Sequence, residues 1–268
     1  MIQRAEDFST RKKTMLADSH AHLEMKAFDR DRDEVIRRAE EAGVGLIITV
    51  GTTLDDCRKA VSIAEKYENV YAAIGIHPHD VKDIDDETYI SLKKLAKMDK
   101  VVAFGEIGLD FFRNLSPKEM QMRRFGEQLE VAGDIGLPVI IHDRDAHVET
   151  VYMLGTWKQK QKGVIHCFSG DQRMAARCLD MGFLISIPGA ITFGKSEKLQ
   201  EVVRYIPVKS LLVETDAPYI TPHPNRGKRN EPAYVVHTAR KVAEIKGLSL
   251  EELASVTYQN TKDVFGII

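Results

Sequence analysis

Two histidines one residue apart, in the run Asp18-Ser19-His20-Ala21-His22, follow a short apolar stretch near the start of the chain. Side chains alternate along an extended strand with period two, so His20 and His22 fall on one side and can reach one cation. Other groups of the same chemistry recur after later apolar runs: His77, Glu106, His142, His166 and the triplet Glu214-Thr215-Asp216. Imidazole nitrogens and carboxylate oxygens are the donors that borderline divalent metals accept. A carboxylate at position 106 can bridge two cations, with imidazoles 142 and 166 completing one set of ligands and Asp216 the other. Two cations roughly 3.5 to 4 Å apart can activate water, neutralise a phosphoryl oxygen and stabilise a leaving alkoxide. Taken singly, each His is as well explained by a structural hydrogen bond. The set is harder to explain that way, because five of the nine histidines and the acids stand at the same end of expected strands.

Those strands are short and rich in Val, Ile and Leu: residues 15–18, 46–50, 70–76, 101–106, 139–142, 163–167, 183–187 and 211–215. Between them lie segments of helical periodicity at 31–42, 54–67, 86–97, 117–135, 146–157, 172–181, 197–205 and 233–246, and a ninth at 249–265 follows. Gly43, Gly136, Gly182 and Gly247 fall where helix C-caps belong. Ser116-Pro117 suggests an N-cap with proline at the first helical position, and Ser249 with Glu252 a capping box. Eight successive βα units imply an α/β fold, a (β/α)8 TIM-type barrel in one domain with an extra C-terminal helix. In such a barrel the strand ends converge on one face, so residues nearly two hundred positions apart meet in one pocket. Residues 1–15 form a polar extension, and residues 16–268 the barrel.

Composition excludes several classes. The chain has 268 residues and a formal charge of −2, so it is no general polyanion coater, and any nucleic-acid site must be local. Cys57, Cys167 and Cys178 show no Cys-x-x-Cys spacing, which argues against a disulfide framework or zinc ribbon and fits a reducing cytoplasm. No stretch approaches the roughly 18 apolar residues of a membrane span. Neither a dinucleotide fingerprint nor a Walker A sequence follows any strand, and no nucleophile elbow demands a covalent intermediate.

Six ordered motifs carry a resemblance. Asp18 to Leu23, Ile74-Gly75-Ile76-His77-Pro78-His79, Gly105-Glu106-Ile107-Gly108-Leu109-Asp110-Phe111, Ile141-His142-Asp143-Arg144-Asp145-Ala146, His166-Cys167-Phe168-Ser169-Gly170 and Glu214-Thr215-Asp216-Ala217-Pro218 resemble those of the TatD DNase family. The resemblance spans essentially residues 16–268. It implies that His20, His22, Glu106 and Asp216 hold one metal, and Glu106, His142 and His166 the second. It also implies 3′-to-5′ exonuclease or DNase activity with divalent metal, while deacylation of D-aminoacyl-tRNA is associated with relatives.

The expected reaction is hydrolysis of a phosphodiester, with Asp216 and Glu106 as catalytic carboxylates and Asp216 assisting removal of the water's proton. Glu214 would support a ligand from behind, or simply face solvent. His77, Arg113, Arg144, Ser169, Asn225 and Arg226 are candidate substrate contacts, the last two in a basic loop spanning 222–230. For Arg113 and Arg144 the competing role is an ion pair with Asp110 or Asp145. The implied partner is nucleic acid, single-stranded or at DNA ends, and the implied cofactors are two divalent ions, Mg, Mn or Zn. An ester, amide or lactone hydrolase on the same scaffold, and a binding barrel that keeps metals as staples, are the rival readings.

Overall fold

The computed structural model describes residues 15–158 and 162–268. All of the expected polar extension except Met15 lies outside the described residues. Eight strands, β1 (Leu16–Ala21), β2 (Val44–Val50), β3 (Val70–Ile74), β4 (Val101–Asp110), β5 (Val139–Arg144), β6 (Gly163–Ile165), β7 (Leu184–Ile187) and β8 (Leu211–Val213), form one sheet in sequential order. Every neighbouring pair is parallel. The helices alternating with them are α1 (Arg32–Glu41), α2 (Leu54–Lys66), α3 (Asp86–Leu95), α4 (Lys118–Ile135), α5 (His147–Thr156), α6 (Gln172–Asp180), α7 (Glu197–Tyr205) and α8 (Val235–Lys246), with α9 (Leu250–Phe265) after them. This is the expected (β/α)8 barrel with its extra C-terminal helix.

Two apolar layers account for the strand sequences. Along β2, Leu46, Ile48 and Val50 join Ala73, Ala103, Ile140, Val164 and Leu212 in a cluster lining the barrel interior. Ile47 between them belongs to the larger cluster against the helices. Being buried on both faces, the strands show apolar runs where a half-exposed strand would alternate. Val264, Phe265 and Ile267 join the inner cluster, so the end of α9 and the residues just after it plug the barrel floor. Ser249 and Glu252 cap α9 reciprocally as expected. Ser116 does not cap α4: Pro117 holds that position, and Ser116 Oγ instead donates to the His79 carbonyl at 2.8 Å.

Three strands run past the ends their sequences suggest, β5 by two residues to Arg144. β1 continues to Ala21, so His20 lies within it. β4 continues four residues past Glu106, placing that carboxylate mid-strand where a strand-end position was expected. The cause is a register shift between Phe104 and Ile107, after which Ile107–Asp110 resume pairing with Ile141–Arg144. A bulge of this kind re-aims a side chain without ending the strand. Gly108 lets β4 pass close to β5, since a Cβ there would stand 2.0 Å from the His142 carbonyl oxygen.

The barrel closes where β1 meets β8, and here side chains replace most of a backbone ladder. Ala21 bridges Ala217, and Asp216 N donates to the His20 carbonyl at 2.9 Å. The Asp18 carboxylate accepts from Thr215 N at 2.8 Å and Thr215 Oγ1 at 2.6 Å. Ser19 Oγ donates to the Val213 carbonyl at 3.1 Å. The seam is thus stitched by the segment that carries the two histidines.

No helix among the described residues is long and apolar enough to cross a membrane. Truncating the floor plug by Phe265→Ala is expected to lower unfolding free energy by about 3 to 5 kcal/mol, because a buried phenyl leaves a cavity the barrel cannot collapse into. Urea unfolding followed by circular dichroism checks this, and an unchanged midpoint would contradict the plug.

Candidate metal centre

The C-terminal ends of the strands open into a cavity of about 1340 Å³. His22, His77, Glu106, His142, His166 and Asp216 all line it, and His20 is fully buried behind them. The expected set therefore converges, although its members come from β1, β4, β5 and the turns after β1, β3, β6 and β8.

Glu106 sits at the middle with each carboxylate oxygen facing a different group. Oε2 lies 3.4 Å from His20 Nε2 and 3.8 Å from His22 Nε2. Oε1 lies 2.5 Å from His142 Nδ1, 2.7 Å from His166 Nε2 and 3.6 Å from His77 Nε2. Asp216 Oδ1 is 3.4 Å from His22 Nε2, and the two Nε2 atoms of His20 and His22 are 3.3 Å apart. Donor atoms about 2.1 Å from a tetrahedrally held ion are roughly 3.4 Å from one another, so the His20, His22 and Asp216 side already has the spacing of a coordination shell. On the other side His142 Nδ1 and His166 Nε2 are 3.2 Å apart, and both press on Glu106 at the shorter distance of a proton-held contact. Three overlapping groups here could hold an ion: His20, His22 and Asp216; His20, Glu106 and His166; and His77, Glu106 and His142.

Further polar groups aim these donors. His22 Nδ1 donates to the Val50 carbonyl at 2.8 Å and lies 3.2 Å from Glu24 Oε1, which leaves Nε2 toward the centre. Glu24 is itself held by Thr49 Oγ1 at 2.9 Å. Asp110 lies 3.4 Å from His142 Nε2 and accepts from His79 Nε2 at 2.8 Å, which turns His142 Nδ1 toward Glu106. Glu214 accepts from Cys167 N at 2.7 Å and stands 3.4 Å from His166 Nδ1. Partners of this kind fix tautomer and ring direction. Cys167 and Asp216 adopt left-handed backbone, with φ of 44° and 54°, immediately beyond their strands. Such conformations cluster at functional sites.

Burial alone would raise the Glu106 carboxyl, but the imidazoles of His166 and His142 outweigh it and hold the group well below the usual carboxylate range. Burial likewise disfavours charge on His22 and His166, yet Asp216 and Glu24 lift the first and Glu106 and Glu214 lift the second well above the ordinary imidazole value. His20 stacks on His166 with ring centroids 3.9 Å apart, and burial together with that neighbour's charge lowers it. The centre is a buried anionic core balanced by protons where cations could stand.

The remaining candidates divide by position. His77, Arg113, Arg144 and Ser169 line the cavity. Neither arginine adopts the suggested ion pair: Asp110 Oδ1 accepts from the backbone N of Arg113, and the Arg144 guanidinium lies over Phe112 at 4.2 Å. Asn225 and Arg226 lie outside the cavity wall. Arg226 stacks on Phe193, a wall residue, at 3.9 Å, and Asn225 Nδ2 is 3.4 Å from His237 Nε2. The sequence reading passed over Glu24, Asp110 and His79 as site residues. The spacing of two from Asp18 through His20 and His22 reaches Glu24, but Glu24 lies in the turn beyond β1.

A buried carboxylate shared by imidazoles stands at the C-terminal mouth of a parallel barrel, an arrangement that could hold metal. A profile of the family described as TatD related DNase matches residues 17–266. A Bacillus subtilis protein named metal-dependent hydrolase YabD is 43% identical over 254 residues, covering 94% of this chain and 100% of its own. A Citrobacter koseri protein named 3′-5′ ssDNA/RNA exonuclease TatD is 38% identical, covering 93% and 98%. The crystal structure of YjjV, a TatD homolog from Escherichia coli, superposes with a TM-score of 0.89 at 32% identity, covering 94% and 98%. The chain belongs to the TatD family of metal-dependent hydrolases.

Two outcomes are expected. Metal needs neutral imidazoles, whereas His22 and His166 hold protons at neutral pH, so loading with Mn²⁺ or Zn²⁺ releases protons and affinity weakens as pH falls. Calorimetry in buffers of different ionisation enthalpy measures this, and proton-neutral binding at pH 7 would contradict it. Glu24→Gln is expected to weaken metal affinity about 10- to 100-fold by loosening His22, with the fold intact.

Proposed function

We propose that this protein is a two-cation phosphodiesterase that removes nucleotides from the 3′ ends of DNA, acting on single strands or frayed ends. The observation that carries the reading is the split of Glu106, one oxygen toward His20 and His22 and the other toward His142 and His166. His20, His22, Glu106 and Asp216 would hold one ion, and Glu106, His142 and His166 the other. When bound, such ions polarise a phosphoryl oxygen, lower the pKa of water and stabilise a leaving alkoxide. Imidazole-rich sites suit Zn or Mn, and phosphoryl chemistry often uses Mg.

The chain's own groups supply the rest. Asp216, held through its backbone by the β1 seam, accepts the proton of the attacking water. Glu214 steadies His166 from behind. The His79 backbone N–H donates to His77 Nδ1 at 3.1 Å, and burial lowers the imidazole well below its ordinary value. The neutral ring therefore carries its proton on Nε2 and meets substrate as a hydrogen-bond donor to a phosphate oxygen. This favours substrate binding over metal ligation for His77. Arg113 and Arg144 grip phosphate from the rim and Ser169 offers a hydroxyl. Asn225 and Arg226 meet the strand farther out. The name of the Citrobacter koseri relative supports the 3′-5′ direction and a single-stranded substrate. We take residues 16–268 as one catalytic unit. Three free cysteines support a reducing, cytoplasmic setting.

Turnover of 5′-labelled single-stranded DNA with Mg, Mn or Zn supplied is expected to yield a ladder shortening from the 3′ end. Glu106→Ala should reduce it by more than about a hundredfold, beyond the loss seen for outer partners, while circular dichroism stays unchanged. Ester, lactone and D-aminoacyl-tRNA substrates run in parallel provide the counter-test. Turnover confined to those would overturn the nuclease assignment.

A further inference from the structure

On the same cavity wall stands a second acid–imidazole pair that the chemistry above leaves unused. Asp143, in β5 immediately after His142, is buried. One of its oxygens accepts from Thr150 Oγ1 at 3.2 Å, and the other lies 2.5 Å from His147 Nδ1. The Asp143 side chain is 2% exposed and that of His147 37%. Both residues line the cavity with Arg144 and Ser169. With Nδ1 engaged by the carboxylate, Nε2 is left as the ring's free donor.

The helix dipole does not favour this arrangement. His147 is the first residue of α5, and a cation in the first turn opposes the helix dipole, which favours an anion there. The carboxylate that offsets this is withdrawn from solvent, which costs free energy unless its hydrogen bonds are satisfied, as they are. The groups facing the ring are Asp143 and Asp145 on its own side and Asp171 from the turn before α6, and the hydrogen bond to Asp143 is the main reason its imidazole is held above the ordinary value. Asp171 is itself engaged, accepting from Met174 N at 2.8 Å. The result is a ring oriented through Nδ1 on the lining of the same cavity.

We propose that His147, aimed by Asp143, is a recognition point for the backbone phosphate next to the one being cleaved. The inference rests on the phosphodiesterase reading. The scissile phosphate must lie at Glu106, and a flanking phosphate is the next anion available to a donor on the adjoining wall. Asp143 is then a positioning residue that sets the direction and charge of the ring.

The test compares the full-length wild type, His147→Gln and His147→Lys, each with metal supplied. The substrates are bis(4-nitrophenyl) phosphate, which has a single phosphate, and a single-stranded trinucleotide whose flanking phosphate is natural or replaced by neutral methylphosphonate. His147→Gln should raise KM for the natural trinucleotide about tenfold, the scale of a charge-assisted hydrogen bond, and leave bis(4-nitrophenyl) phosphate within about twofold. Methylphosphonate should cost the wild type a similar factor and cost the Gln variant nothing further. Lys should recover most of the loss, and KM for the natural trinucleotide should rise with pH in wild type but not in the Gln variant. Equal losses on both substrates, or additive losses from variant and methylphosphonate, would overturn the proposal. If the wild type cleaves neither substrate, the phosphodiesterase reading fails by itself. Titration of the trinucleotide onto wild type and His147→Gln then decides this inference, and equal affinities refute it.

Discussion

One buried carboxylate organises this protein. Glu106 brings a negative charge into the barrel mouth, and a charge there is tolerable only if it is surrounded by groups that can compensate it. Imidazoles delivered from β1, β5 and the turns after β1, β3 and β6 do so, and in doing so they become a shell whose spacing suits cations as well as protons. The same electrostatic demand explains the outer layer. Glu24, Asp110 and Glu214 stand behind His22, His142 and His166, so that each of these three rings presents one defined nitrogen to the centre.

The scaffold meets that demand through its seam and its bulge. Closing β1 onto β8 with Asp18, Thr215 and Ser19 ties His20 and Asp216 together through a backbone hydrogen bond, so barrel closure and assembly of the site are one event. The register shift in β4 aims Glu106 inward while letting the strand continue to Asp110. Asp110 then reaches back to His142 and His79 from the far end of the strand that carries Glu106. Activity and fold are coupled at these places. Elsewhere, as at the plug formed by Phe265, stability is a matter of packing alone.

The cavity is larger than a single phosphate needs, and its wall is chemically uneven. Glu106, Asp216 and the imidazoles line it together with further acids, among them Asp171, Glu197 and Glu201. Arg113, Arg144 and His147 also line it, and the Arg144 and Arg226 guanidinium groups lie over Phe112 and Phe193.

Element types, their order, the barrel and the convergence of five histidines with Glu106 and Asp216 were legible in the chain, because they follow from apolar periodicity and from the polarity of a parallel sheet. Glu24 lies in the turn beyond β1, where strand alternation no longer sets side-chain direction. Tertiary structure alone decided the rest. Whether β4 stops at Glu106 or continues depends on how closely β5 approaches, which Gly108 permits but does not announce. Whether Arg144 pairs with an acid or lies on Phe112 depends on which group the neighbouring turn presents. Local sequence fixes which residues leave a strand end together, but the curvature of a closed sheet sets the distance between residues on different strands, and no single segment encodes that curvature.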